Sequence, residues 1–268
     1  MSTPLIFGVL NVTPDSFSDG GKFVDVSRAV EHAHAMVAAG ADVIDIGGES
    51  TRPGAVQISL DEEQSRVLPV IRELKSAGIK VSLDTMRADT ARKGVDLGID
   101  FINDVSGGKA DSEMFSVVAA SDVDYIAMHW RGHSDVMNSL ATYKNVTREV
   151  QAELTMQVDL AIAAGIAQKR IVIDPGFGFA KEAEHNWQLL RDLSSFTHLP
   201  YRTLVGVSRK RFLASAVRSE STQDPAARDA ATAAISFYAA VKGAWAVRVH
   251  DVASTFSAFH VAREIGHQ

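Results

Sequence analysis

The chain contains no cysteine, and this absence removes several kinds of protein chemistry. A disulfide scaffold, a thiolate zinc or iron–sulfur site and a cysteine nucleophile are all excluded. No uninterrupted apolar stretch reaches the roughly 18 residues of a membrane-spanning helix, so we expect no membrane span. Residues 1–8 lack the basic region and apolar core of a secretion signal, so we expect a cytoplasmic protein.

The chain is also poor in positive charge. Its 27 Lys and Arg are outnumbered by 33 Asp and Glu, which gives a net charge of −6, and no basic stripe is visible. This balance argues against nucleic acid as the main partner. What is present is an ordinary globular composition, 46% apolar, over 268 residues. This length suits one α/β barrel, so residues 1–268 are interpreted as a single domain.

Short apolar runs rich in Val and Ile alternate eight times with segments of helical periodicity, and Gly marks many of the joins. Runs such as 42–46 and 170–173 are too apolar for a half-exposed antiparallel sheet and suit parallel strands covered by helices. The pattern predicts a (β/α)8 TIM barrel, with a doubly wound open sheet as the alternative. The predicted strands are 4–10, 41–47, 79–83, 100–103, 123–128, 169–173, 202–207 and 245–249. The predicted helices are 27–39, 60–77, 88–97, 111–120, 147–164, 182–193, 209–216 with 225–242, and 252–265.

Polar or charged residues follow almost every predicted strand. In a barrel of this type the C-terminal ends of the strands meet at one end, where the chemistry lies. Polar groups held at an apolar rim need partners, and a polar ligand supplies them. The sequence therefore predicts a binding site for a polar small molecule. The residues concerned include Asn11, Asp84, Asn103, Asp174, Lys210, Arg248 and His250.

One group at this end is cationic. Arg248 and His250 are two residues apart on a strand and share a face, and Arg52 and Lys210 can add charge from other loops. Ser208 begins a predicted helix, and helix N-termini favour anions. This group indicates a phosphate or diphosphate pocket. The alternative is that these cations form salt bridges with Asp or Glu.

The second group consists of Asp84, Asn103 and Asp174. Their carboxylates and amide can accept hydrogen bonds from a flat heterocycle rich in N–H donors. Two alternatives remain open at this point. The oxygen atoms could hold Mg²⁺ or Ca²⁺, or the aspartates could cap the loops and helices that follow them.

Seven segments, taken together, resemble the dihydropteroate synthase family. They occur in the family's order, and the resemblance covers the chain from about residue 5 to about residue 265. The segments are 11–21 (Asn-Val-Thr-Pro-Asp-Ser-Phe-Ser-Asp-Gly-Gly), 47–54 (Gly-Gly-Glu-Ser-Thr-Arg-Pro-Gly), 82–85, 102–108, 174–179 (Asp-Pro-Gly-Phe-Gly-Phe), 208–210 and 248–252. The resemblance implies a (β/α)8 barrel that joins 6-hydroxymethyl-7,8-dihydropterin diphosphate to 4-aminobenzoate. The implied products are 7,8-dihydropteroate and pyrophosphate, in folate biosynthesis. A homodimer and a Mg²⁺ cofactor are also implied.

The resemblance further implies a role for individual residues. The implied catalytic residues, which also hold the pterin, are Asp84, Asn103, Asp174 and Lys210. Further implied contacts of the pterin diphosphate are Thr51, Met128, Arg248 and His250. The implied 4-aminobenzoate contacts are Phe17, Arg52, Pro53, Phe179, Ser208 and Arg211. Asn11 is the implied ligand of magnesium.

The chain departs from the family pattern at two positions. Ala180 and Arg211 stand where many members have Gly and Ser, respectively, and that Ser contacts the aminobenzoate carboxylate. Either the charge of Arg211 or backbone N–H groups would have to replace the contact. A pterin-binding paralogue with weak activity is therefore an alternative to the active synthase. A pterin-binding methyltransferase of the same broad fold is another, but it is expected to lack the 208–210 and 248–250 sets.

Overall fold

The computed structural model describes residues 3–13, 22–49, 57–133, 136–217 and 224–266. Within these ranges, eight parallel strands pair in chain order, and the first strand also pairs with the last to close a barrel. Helices alternate with the strands along the chain. The predicted (β/α)8 barrel is thus confirmed. No helix in these ranges is both long enough and apolar enough to cross a membrane.

The elements of the barrel have the following bounds. The strands are β1 (Leu5–Asn11), β2 (Val43–Gly47), β3 (Val81–Asp84), β4 (Phe101–Asp104), β5 (Asp124–Met128), β6 (Ile171–Asp174), β7 (Arg202–Val205) and β8 (Ala246–Val249). The α-helices are α1 (Lys22–Ala38), α2 (Leu60–Ser76), α3 (Ala88–Asp96), α4 (Met114–Ala119), α5 (Val146–Ala163), α6 (Ala183–Arg191), α7 (Ser194–Thr197), α8 (Asp229–Val241) and α9 (Val252–Gly266). Short 3-10 helices span Met137–Leu140, Gln168–Arg170, Arg211–Ala216 and Pro225–Arg228.

The structure differs from the predicted elements mainly after β7. The segment predicted as an α-helix over 209–216 is a 3-10 helix that begins only at Arg211. Arg209 has φ +58, a left-handed conformation that a helix cannot contain. The side chain of Arg209 is held in place by Asp229, to which Nε and Nη2 donate at 2.8 and 2.7 Å. The short helix α7 was not predicted.

The inward-facing residues form an apolar floor in the lower half of the barrel. Successive strand residues point to opposite faces, so residues two apart along a strand point into the barrel together. The rings of Phe7 and Phe101 meet edge to face at 5.2 Å, and Trp245 packs against Phe7 at 5.8 Å. Each fully buried side chain of this size contributes roughly 1.5–3 kcal/mol. The floor consists of Phe7, Val43, Phe101, Ile126, Val172, Leu204 and Ala246.

Two residues further along, the inward positions of five strands are polar. Val43 is followed by Asp45, Phe101 by Asn103 and Val172 by Asp174. We call the resulting set the upper layer; it consists of Asp45, Asp84, Asn103, Met128, Asp174, Gly206 and Arg248. The period of two in the strands thus places charged groups directly above an apolar floor, at the end of the barrel where the strands finish.

Candidate active site

Arg248 ties three strands together across the upper layer. Its Nη2 donates to Oδ2 of Asp84 at 2.5 Å, and its Nε donates to Oδ2 of Asp45. The same Asp45 oxygen accepts from Nδ2 of Asn103 at 3.3 Å. Asp45 is fully buried, and its Oδ1 has no hydrogen-bond partner among the described residues. Such ion pairs, largely removed from water, depend on every partner being present.

Burial and, to a smaller extent, the neighbouring charges perturb the acidity of Asp84. Burial raises the pKa of Asp84 to about 7; the charge of Arg248 opposes this rise and that of Asp45 adds to it. Together with the nearby Lys210, the layer contains three carboxylates, those of Asp45, Asp84 and Asp174, and two cations. A site with this excess of carboxylates favours ligands that donate hydrogen bonds or develop positive charge.

Asp174 and Lys210 form the opposite side of the layer. Oδ1 of Asp174 accepts from the N–H of Gly176 at 2.8 Å. A Cβ at Gly206 would lie only 3.3 Å from Oδ2 of Asp174, so the glycine keeps the space beside this carboxylate free. Nζ of Lys210 lies 3.9 Å from the ring centroid of Phe179. Burial lowers the pKa of Lys210 to about 8, and Arg248 adds to the shift, against the charges of Asp174 and Asp84.

An apolar wall borders these charged groups. Met128 and Phe179 belong to a buried cluster that also contains Val105, Met137 and Ala180. Ala180 has φ +47, a conformation that glycine adopts without strain. This accounts for the Gly that many family members have at this position. A wall of sulfur and ring atoms beside hydrogen-bond acceptors suits a flat, polar ring.

The ends of β7 and β8 are held together by Ser208. Its Oγ lies 2.9 Å from Nδ1 of His250 and accepts from the backbone N–H of His250 at 3.1 Å. Ser208, which the resemblance assigned to aminobenzoate, thus orients His250, which the resemblance assigned to the diphosphate. Arg211 is exposed at the first residue of its 3-10 helix. The predicted α-helical N-terminus for anions is replaced by this short 3-10 helix.

Asn11 ends β1, opposite Gly47 of β2 in the strand register. Its amide oxygen is a hard ligand, and Mg²⁺ is commonly held by one or two protein oxygens together with phosphate oxygens. No cluster of three His, Asp or Glu ligands occurs among the described residues. The amide oxygen of Asn11 is thus one donor of the kind that Mg²⁺ accepts. Phe17, Thr51, Arg52 and Pro53 lie outside the described residues.

The structure changes the predicted arrangement in one respect. The sequence suggested an acidic slot and a cationic pocket side by side, whereas the two kinds of group are interleaved. Arg248 is engaged by Asp45 and Asp84, which corresponds to the salt-bridge alternative. The reason is geometric: β8 closes the barrel against β1, and the long side chain of Arg248 reaches across the interior to β2 and β3.

Two groups of residues near the site were missed from the sequence. Asp45 lies in a strand that is otherwise apolar, and an isolated charge in such a run is a signal that could have identified it. In the segment after β6, Lys181 contacts the buried His129, and no sequence pattern marks this pair. Both groups touch residues that the sequence did place in the site.

The fold and the upper layer, together with a match of residues 7–250 to the family model described as "Pterin binding enzyme", define a pterin-binding barrel enzyme. The dihydropteroate synthase of Mycobacterium leprae (strain TN) is 48% identical over 96% of this chain and 91% of its own length. A crystal structure of dihydropteroate synthase from Clostridium difficile in the presence of pteroic acid has a TM-score of 0.92 at 37% identity and covers 100% of this chain and 98% of that one. Dihydropteroate synthase from Xanthomonas albilineans with 4-aminobenzoic acid has a TM-score of 0.91 at 38% identity and covers 100% of this chain and 94% of that one. The chain belongs to the dihydropteroate synthase family.

Proposed function

We propose that this chain joins 6-hydroxymethyl-7,8-dihydropterin diphosphate to 4-aminobenzoate and releases 7,8-dihydropteroate and pyrophosphate. The observation that carries the proposal is the upper layer, in which hydrogen-bond acceptors and cations from different strands converge above an apolar floor. One relative was solved in the presence of pteroic acid, in which the pterin and aminobenzoate units are joined, and another was solved with 4-aminobenzoic acid, the second substrate.

The pterin ring is recognised by acceptors on one side and by the apolar wall on its face. Asp84, Asn103 and Asp174 accept hydrogen bonds from the ring's N–H and amino groups. Met128 packs against the flat face, and Lys210 donates to a ring acceptor. A carboxylate that accepts from a donor on the ligand is favoured in its charged form, so pterin binding lowers the pKa of Asp84 from its unliganded value.

The diphosphate is placed at the ends of β1 and β8. His250, oriented by Ser208, supplies a donor there, as do the N–H groups of Arg248 that Asp45 and Asp84 do not engage. The resemblance adds Thr51, which lies outside the described residues. Asn11 would hold Mg²⁺, which when bound neutralises part of the diphosphate charge and so improves it as a leaving group. The protein's own cations contribute in the same direction.

Bond cleavage comes first in the proposed mechanism. The CH₂–O bond breaks, its electron pair leaves with pyrophosphate, and the methylene carbon carries positive charge that the pterin ring delocalises. The excess of carboxylates in the upper layer stabilises this charge. The amine lone pair of 4-aminobenzoate then forms the CH₂–N bond, and the nitrogen loses a proton. Because the carbon is already electrophilic, no strong general base is required.

4-Aminobenzoate is placed at the open end of the site, against Phe179. Ser208 is already bonded to His250, so we assign the carboxylate of the substrate to the exposed cation Arg211 beside Lys210. The resemblance also assigns Phe17, Arg52 and Pro53 to this pocket; they lie outside the described residues. The charge of Arg211 then takes over the contact that Ser makes in many family members.

The deciding experiment follows pyrophosphate release by the purified protein with the pterin diphosphate, 4-aminobenzoate and Mg²⁺. Release that requires both substrates supports the synthase, whereas pterin binding without release would identify a binding paralogue. Deuterium at the reacting methylene tests the order of the steps. A large secondary isotope effect is expected for departure before attack, and a small one would contradict it.

We also propose that the chain forms a homodimer and works in the cytoplasm. Val261 and Ile265 are one turn apart on α9 and are 52% and 64% exposed, and Val241 of α8 is 44% exposed. Apolar side chains on neighbouring helices form a surface that a second copy can cover. Sedimentation equilibrium tests the dimer, with Ile265→Asp expected to weaken it. Cell fractionation tests the location.

A further inference from the structure

Lys181 lies beneath the loop that follows β6, and its ammonium group points inward. Nζ donates to the carbonyl oxygen of Gly176 at 2.9 Å and to that of Phe179 at 3.0 Å. A third bond runs to Nδ1 of His129 at 2.9 Å. The two carbonyls belong to one short segment, residues 175–180, which we call the β6 loop. Lys181 therefore closes this loop back on itself.

The three acceptors around Nζ require Lys181 to be in its ammonium form. An ammonium group has three N–H donors, and all three are used here. A neutral amine has only two, so loss of the proton would leave one acceptor without its donor. Burial lowers the pKa of Lys181 to about 7, against the charge of Asp174, which raises it. The ammonium form is thus only narrowly maintained near neutral pH.

A chain of hydrogen bonds holds Lys181 from the other side. Nε2 of His129 lies 2.9 Å from Oε2 of Glu153, and this carboxylate oxygen can only accept, so the ring proton is on Nε2. Nδ1 of the neutral ring therefore accepts from Lys181. Nη2 of Arg131 donates to Oε1 of Glu153 at 2.5 Å. His129 is fully buried, and burial lowers its pKa to about 3, so the ring is neutral. These groups fix Lys181 without adding a second buried cation in direct contact.

The β6 loop carries groups of both substrate sites. Asp174 immediately precedes it and takes a hydrogen bond from Gly176 inside it. Phe179 near its end lies under Nζ of Lys210. We propose that Lys181 is a positioning residue for the reaction: its ammonium group holds the β6 loop so that Asp174 and Phe179 face the pterin and the aminobenzoate. This inference rests on the proposed function.

Lys181 also acts on Asp174 through its charge. The groups that face Asp174 are the N–H of Gly176, Lys210 from the segment after β7, Arg248 from β8, and Lys181 from below. Burial raises the pKa of Asp174, and all four of these groups oppose that rise. Without the Lys181 charge, Asp174 takes up a proton at a higher pH. A protonated Asp174 is a poorer acceptor for the pterin.

The test compares the wild-type chain with Lys181→Met, which keeps the unbranched chain up to the atom before Nζ, and Lys181→Gln, which keeps N–H donors but no charge. We expect calorimetry to show that the affinity of both variants for 6-hydroxymethyl-7,8-dihydropterin is lower than that of the wild type by roughly tenfold or more. The loss of affinity should be larger for Lys181→Met than for Lys181→Gln. We also expect the aminobenzoate substrate to show a higher KM in both variants. Because Lys181 does not touch the reacting atoms, KM should rise by a larger factor than kcat falls.

The pH profile separates this role from a merely structural one. In both neutral variants the acid limb of pterin binding is expected to move to higher pH by about half a unit or more. The pKa of Asp84 is expected to be the same in the wild type and in both variants, because Lys181 is not one of the main charges that shift it. Lys169 is an exposed lysine just before the first residue of β6. Lys169→Met is the matched control and should leave the pterin affinity and its pH profile unchanged.

Chemical rescue gives an independent measurement. Lys181→Cys would carry the chain's only thiol, so alkylation of the unfolded protein with 2-bromoethylamine and refolding converts this residue alone to an S-aminoethyl group. The thiolate displaces bromide, and the product carries an ammonium at the position of Nζ. We expect the alkylated protein to regain pterin affinity and the wild-type acid limb, and the untreated protein not to.

Three results would overturn the inference. In the first, the folded variants keep the wild-type affinities and the wild-type acid limb. In the second, they lose thermal stability but keep their affinity. In the third, none of the variants folds. The first would show that Lys181 does not position either substrate site, and the other two would assign Lys181 to the fold alone. Failure of the proposed function looks different, because the wild-type protein itself would then release no pyrophosphate from the two substrates.

Discussion

Replacing Arg248 by Met should destabilise the protein as well as impair its substrate site. The guanidinium is the shared partner of Asp45 and Asp84, whose side chains are 0% and 10% exposed. Met fills a similar volume but leaves both carboxylates without their cation. Removing one partner of such a buried pair costs about 3–5 kcal/mol. We expect a loss near the lower value, since Arg248 itself is 18% exposed.

The loss should grow as the pH rises. Arg248 lowers the pKa of Asp84, so its removal moves that pKa above the wild-type value of about 7, further from the ordinary 3.8 of the unfolded chain. When a carboxyl has a higher pKa in the folded than in the unfolded protein, the free energy of unfolding falls as the pH rises from the unfolded-state pKa to the folded-state pKa. In the wild type this loss ends near pH 7. In the variant the free energy of unfolding continues to fall above that pH. The difference in stability between wild type and variant is therefore largest in mildly alkaline solution.

Urea unfolding followed by circular dichroism, at about pH 6 and about pH 8.5, measures both effects. Arg209→Met is the control: its pair with Asp229 is more exposed, at 31% and 16%, and should cost about 1 kcal/mol with little pH dependence. A loss for Arg248→Met below about 1 kcal/mol, or one equal at both pH values, would refute the buried-pair reasoning. In binding assays, a larger loss for the pterin diphosphate than for the free hydroxymethylpterin indicates a direct phosphate contact.

Three further predictions concern the substrates. Asp174→Asn should keep the fold but weaken pterin binding in calorimetry by about 2–4 kcal/mol, and unchanged affinity would remove Asp174 from the site. Gly178→Ala should cost about 1–2 kcal/mol in urea unfolding, because Gly178 has φ +75. It should also weaken pterin binding, because the new Cβ would lie 2.9 Å from Cδ of Lys210. Gly98→Ala, with φ +81 and no atom within 4 Å of the new Cβ, should show the unfolding loss alone. Removing Mg²⁺ with a chelator should raise KM for the pterin diphosphate without changing the affinity for hydroxymethylpterin, and metal-independent turnover would contradict the assignment of Asn11.

Several parts of the site were predictable because they depend on local pattern. Apolar runs of strand length, separated by helical periodicity, predicted the eight strands of the barrel, and the residue after each run then predicted which side chains meet. Asp84, Asn103 and Asp174 do converge with Arg248 in this way. The first and last residues of the strands were predicted less accurately, for example for the strand predicted over 169–173. It starts at Ile171, because Gln168–Arg170 forms a 3-10 helix that no apolar pattern reveals.

The partners of those side chains were not predictable from local pattern. Whether Arg248 faces a phosphate or two aspartates depends on which strands lie opposite β8 once the barrel closes, and these strands are about 160 and 200 residues away in the chain. The same holds for Lys181, whose acceptor His129 comes from the end of β5.

Sequence alone determined the barrel, the end at which the site lies and the chemical kinds of group found there, since strand periodicity and the direction of parallel strands are local properties. Tertiary structure alone decided how those groups are paired, which carboxyls are shifted in pKa and which lysine supports the β6 loop. The physical reason is that hydrogen bonds and burial depend on distances across the closed barrel, and these are set only when all eight strands have come together.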